Sequence, residues 1–143
     1  MNIASILATK GGKVFMIGQE QSIREALGLL AEHNVGALVV VDKGRPIGII
    51  SERDIVREAA RDENVFSRTV GEIMTKDVIL AQPQDDLETV SRTMIEHRIR
   101  HLPIVDRGAL IGIVSIGDIL KAQRDQYAGE VDTLQIQILK ETA

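Results

Sequence analysis

Short apolar runs alternate with amphipathic stretches along this chain, and the pattern is written twice. Val14-Phe15-Met16-Ile17 opens it as a strand. Ile23, Ala26, Leu27 and Leu30 then fall on one face of a helix, behind a capping box at Ser22-x-x-Glu25. Ala37–Val41 reads as a strand, Asp42-Lys-Gly-Arg as a turn whose glycine suits a left-handed position, and Pro46–Ile50 as the returning strand. Ser51 starts a second helix. Shifted by 64 residues, the elements recur: Val78-Ile79-Leu80, a helix from Asp86 carrying Leu87, Val90, Met94 and Ile95, strands at Leu102–Val105 and Leu110–Val114, and a helix after Ser115.

The same shift places Asp106 on Asp42, Gly108 on Gly44, Gly112 on Gly48, Ser115 on Ser51 and Asp118 on Asp54, without a gap from Lys13–Arg57 to Asp77–Lys121. Matched glycines and polar residues are much harder to obtain by chance than matched apolar runs, so the chain is a duplication. The expected class is α/β, as two β-α-β-β-α units. One unit alone leaves an apolar sheet face in water. Two packed through their sheets bury it, at about 25 cal/mol per Å² of apolar area, and form one module with a pseudo-twofold axis. The expected division is 1–66 for the first unit, 67–124 for the second and 125–143 for a helical tail, with the charged stretch Ala59–Thr69 as the link. Val131, Leu134, Ile136, Ile138 and Leu139 make one side of the tail apolar. That side packs either on another subunit or back on its own module.

Composition narrows the chemistry. The 143 residues include no cysteine, which excludes disulfides, thiolate metal sites and cysteine nucleophiles. The formal net charge of −4 argues against duplex nucleic acid or anionic membrane as the main partner. Phe15, Phe66 and Tyr127 are the whole aromatic content, too little to stack single-stranded bases. No apolar run approaches the ~20 residues of a membrane span, and no targeting signal is legible. The expected location is the cytoplasm. His97 and His101 have i,i+4 spacing, but the helix should end near Arg98, so no metal pair is expected. Thr9-Lys-Gly-Gly-Lys13 lacks the spacing of a phosphate loop, and no G-x-G-x-x-G occurs.

The stretches VGALVVVDKGRPIGIISERDIV, VGEIMTKDVI and HRIRHLPIVDRGALIGIVSIGDIL each resemble a CBS motif, and the pair resembles a free-standing bacterial or archaeal CBS tandem (Bateman module). The resemblance runs from Ile3 to about Lys121 and leaves the tail outside. It implies a regulatory module without catalysis of its own, assembled as a homodimer. It also implies an adenosine-containing ligand between the motifs: AMP first, then NAD(H), ATP or ADP, or S-adenosylmethionine. Such a module senses energy or redox state and modulates an unidentified partner protein.

The same resemblance assigns the ribose to Asp118 and Asp54, with Ser115 and Ser51 beside them. Physically, a helix entrance offers free N–H groups to an anion, and a carboxylate three residues on can accept both ribose hydroxyls. Ser-x-x-Asp is equally a plain helix cap, and both roles stand open. Phosphate contact is assigned to Arg100, Arg53 and His101. The competing reading is a solvated arginine paired with Glu52, Glu58 or Glu96. Gly117 replaces Arg53 in the second copy, and Gly36-Ala37 replace Arg100-His101 in the first, so two unequal sites are expected. The adenine slot is assigned to Ile99, Pro103, Val78 and Asp77, with Thr75 and Lys76 nearby and Val14, Val35 and Val39 as first-copy counterparts. Two other classes remain: an interaction scaffold without ligand, and a nucleotide hydrolase, which lacks a placed base, nucleophile or metal.

Overall fold

The computed structural model describes residues 1–142. Helix α1 (Ile3–Lys10) leads into strand β1 (Met16–Gly18), helix α2 (Ile23–His33), strands β2 (Ala37–Asp42) and β3 (Arg45–Ser51), and helix α3 (Glu52–Ala59). A 3₁₀ turn at Val65–Ser67 and the short helix α4 (Val70–Ile73) follow. Helix α5 (Leu87–His97), strands β4 (His101–Asp106) and β5 (Ala109–Ser115), and the long helix α6 (Ile116–Thr142) complete the chain. Ser22 caps α2 by accepting from the Glu25 N–H, and Asp86 caps α5 by accepting from Thr89. Both helices end on a left-handed residue, Asn34 and Arg98.

In the first sheet β1 runs parallel to β2, and β2 antiparallel to β3. The second sheet has only β4 and β5, antiparallel. The expected opening strand at Val78–Leu80 does not form. Ala81 alone bridges to Ile104. The reason is Pro103. In the first copy the Val39 N–H donates to the Phe15 carbonyl. The matching residue in the second copy is Pro103, which has no N–H to give.

Each copy's leading segment packs into the other copy's core. Ile3 and Ile6 of α1 are buried with Leu87, Val90, Met94, Leu102, Ile104 and Ile119. Val65, Val70 and Ile73 are buried with Ile23, Leu30, Leu38, Val40, Ile50 and Ile55. Each buried isoleucine is worth about 1.5–3 kcal/mol, so this exchange ties the halves into one unit. A division at 66/67 falls inside the Val65–Ser67 turn. The stretch expected as a charged link is therefore partly core. Its charges converge on Arg68, whose guanidinium donates to Glu72, Glu58 and Asp62 at 3.0, 3.1 and 3.3 Å. Those bonds, Glu72 first, push its pKa above the ordinary arginine value.

The pseudo-twofold is visible in paired bonds: Glu52 N–H to the Gly36 carbonyl at 3.0 Å, and Ile116 N–H to the Arg100 carbonyl at 2.9 Å. Of the two open readings for the tail, folding back is not what the structure has. It continues α6 outward, with Tyr127 through Glu141 exposed. Among the described residues, no helix is long and apolar enough to cross a membrane.

Candidate functional site

Strand β3 ends and α3 begins at Ser51. Ser51 Oγ accepts from the Asp54 N–H at 3.2 Å, and Asp54 Oδ2 accepts from the Ser51 N–H at 3.0 Å. Ser115 and Asp118 repeat this at the start of α6, at 3.1 and 2.8 Å. Each aspartate thus gives one oxygen to its own helix entrance. Asp54 Oδ1 also accepts from the Thr75 hydroxyl at 3.5 Å, because Thr75 pairs with Ile49 on the edge of β3.

The two entrances open on separate clefts. The first, about 300 Å³, joins Ser51, Arg53 and Asp54 to Thr75 and to Ile99, Arg100 and His101 of the second copy. Arg57, Arg98 and His97 also line it. The second, about 210 Å³, joins Ser115 and Asp118 to Val14 and Val35, with Lys10, Lys13 and Phe15. Gly36 and His101 line both. Each site is built across the pseudo-twofold from residues far apart in sequence. Among the remaining candidates, Pro103 and Val39 are buried within β4 and β2. Lys76, Asp77 and Val78 line neither cleft; the Lys76 carbonyl accepts from the Val78 N–H.

The clefts differ in charge. The first gathers four arginines and two histidines against Glu52 and Asp54. In the second, Lys10 Nζ donates to Asp118 Oδ2 at 2.6 Å and to the Ile113 carbonyl at 2.8 Å. Burial pushes the Asp118 carboxyl up, but the Lys10 hydrogen bond and the Ser115 N–H outweigh it and hold it below its ordinary value. His101 is held below the ordinary imidazole value, by burial first and then by Lys10 and Arg100, against the opposing pull of Asp118 and Glu52. A Cβ on Gly36 would lie 3.5 Å from His101 Nε2, in ordinary van der Waals contact with the ring. Phe15 stacks on His33 with ring centroids 3.8 Å apart, and Lys13 lies 5.2 Å above Phe15.

Lys10, Lys13, Phe15, Ile49, Arg57 and Arg98 are cleft residues to which the sequence reading gave no site role. The repeat gave no signal for Lys10, which precedes its gap-free stretch; Leu7 meets Gly112 as Met74 meets Gly48, so Met74 is the counterpart of Leu7.

The family model described as CBS domain matches residues 4–61 and 70–125. The CBS domain-containing protein YhcV of Bacillus subtilis is 36% identical over 117 residues, which cover 82% of this chain and 84% of YhcV. The crystal structure of a CBS-domain protein from Agrobacterium tumefaciens superposes with a TM-score of 0.82 at 37% identity, covering 86% of this chain and 99% of that one. The CBS domain pair of protein MJ0100, solved with 5′-methylthioadenosine and S-adenosyl-L-methionine, has a TM-score of 0.78 at 30% identity, covering 88% and 98%. With both repeats matched and the fold shared, the chain belongs to the CBS-domain family, as a tandem pair.

Proposed function

We propose that this protein is a cytoplasmic regulatory module that binds an adenine nucleotide in its first cleft and passes the change to a partner protein. One observation carries the reading: Ser51, Asp54 and Thr75 face Arg100, with Arg53, Arg57 and Arg98 around them, across a cleft large enough for a nucleoside. Asp54 takes the ribose hydroxyls and the arginines take the phosphates, since a guanidinium meets phosphate oxygens through two parallel N–H donors. Ile49 and Ile99 supply an apolar wall for the base. AMP is the leading ligand, followed by NAD(H), ATP or ADP, and S-adenosylmethionine. The adenosine compounds bound to the MJ0100 pair support this ligand class. So does the likeness to MJ1225 of Methanocaldococcus jannaschii, described as a putative archaeal homolog of g-AMPK, at a TM-score of 0.70 and 25% identity. Binding cross-links the two copies, and it shifts a conformational equilibrium only by its differential affinity for the two states.

A thermal-shift panel with AMP, ATP, NADH and S-adenosylmethionine tests the proposal. A ligand at 100 times its Kd stabilises by about 2.7 kcal/mol, a rise of several degrees for a chain of this length. Asp54→Asn keeps a capping oxygen but loses the charge, and is expected to abolish most of that rise while leaving the unliganded melting point nearly unchanged. No shift with any adenosine compound would leave the scaffold reading standing.

A further inference from the structure

Helix α6 is anchored at its start, where Ile119 is buried and Ala122 packs against the second core. From Tyr127 to Glu141 its side chains are exposed. At 1.5 Å per residue this stretch projects about 22 Å from the body. A helix of that length is marginal in water without tertiary packing. Tyr127 is 61% exposed, Val131 51% and Leu134 58%.

These residues lie on one register. Leu120, Arg124, Tyr127, Val131, Leu134, Ile138 and Glu141 follow each other at alternating steps of four and three. That period of 3.5 defines a narrow seam made for another helix with the same period. Ile136 and Leu139 lie off it. The occupant that fits is a second copy of this chain, and charge selects its direction. In a parallel pair, each seam residue meets its own counterpart, so Arg124 faces Arg124 and Glu141 faces Glu141. In an antiparallel pair centred between Asp132 and Thr133, Val131 meets Leu134 and Tyr127 meets Ile138. Arg124 then meets Glu141, and Asp125 lies beside Lys140. Four apolar layers are thus closed at both ends by opposite charges. We infer that α6 pairs antiparallel with α6 of a second copy. This pairing needs no nucleotide.

The chain has no cysteine, so engineered ones report cleanly. Tyr127→Cys and Ile138→Cys are made separately in the full chain, mixed, equilibrated and mildly oxidised. The mixture is expected to give a covalent dimer holding one of each. Either variant alone is expected to give little, because like residues are separated by about 16 Å along the pair, far beyond disulfide reach. Self-cross-linking of either variant would mean parallel pairing and overturn the assignment. No cross-linking in the mixture, with both variants folded by circular dichroism, would overturn the seam itself. Adding Arg124→Glu to both partners should raise the concentration for half-maximal cross-linking about tenfold, as two attractions become repulsions. Adding Glu141→Arg as well should restore it; failure to restore would refute the charge argument.

Discussion

Lys10→Met removes the ammonium that pairs with Asp118 in the second cleft. The substitution removes two bonds, to Asp118 at 2.6 Å and to the Ile113 carbonyl at 2.8 Å. The lysine and aspartate side chains are 34% and 28% exposed, so water screens the pair. Its worth is about 0.5–1 kcal/mol, the upper range for such pairs. The melting point should fall by about 2–3 °C at pH 7. The pH dependence follows from Asp118. Its carboxyl is held below the ordinary value in the folded chain. Stability from that source is fully present above the unfolded pKa, about 3.9, and is lost as pH falls through the folded value. The gap between wild type and variant should therefore stay constant from pH 7 to about 5 and close below about 4. Removing the ammonium also frees Asp118. Adenosine, which has no phosphate to miss the lysine, should bind the second cleft about two- to fivefold tighter, the same energy expressed as affinity. Calorimetry in an Asp54→Asn background, which silences the first cleft, reads this alone. An unchanged or weaker adenosine affinity would refute Lys10 as the group that holds the second cleft shut. A melting gap that persists undiminished at acid pH would refute the ion pair as its source.

Arg100→Ala should weaken AMP about tenfold, the loss of one charge-assisted hydrogen bond, while sparing adenosine; equal losses in calorimetry would exclude the phosphate role. His101, depressed below the ordinary imidazole value chiefly by burial, holds a proton less tightly in the folded chain than in the unfolded one. Its contribution is therefore present above about pH 6.5 and lost as pH falls towards the folded value, so melting points should drop across that window. His101→Asn should flatten the drop. Gly48→Ala would place a Cβ 2.5 Å from Met74 Sδ and 2.9 Å from the Thr75 carbonyl oxygen. Met74 can turn aside but the paired Thr75 backbone cannot, so chemical denaturation should show a loss of about 1–3 kcal/mol.

Local physics was legible in the residues. Ser22, Ser51, Asp86 and Ser115 mark helix entrances because a capping oxygen three positions before its N–H partner is a short-range device. The turns at Gly44 and Gly108 need a left-handed glycine, and both have φ near +80°, at 79° and 81°. The repeat announced the fold because identical glycines and aspartates at one spacing can serve only one repeated architecture. What the residues could not show was which surfaces meet. Asp54 shares its cleft with Arg100 and His101, while Asp118 shares its own with Lys10 and Phe15. That grouping depends on the exchange of α1 and of the Val65–Ile73 segment between the cores, a long-range choice made by total burial. The missing strand at Val78–Leu80 likewise depended on Pro103 lying opposite it in space. Local hydrogen-bond chemistry determined where each element begins and ends. Tertiary packing decided which cations reach which carboxylate, because a charge acts on whatever lies within a few ångströms, however distant in the chain.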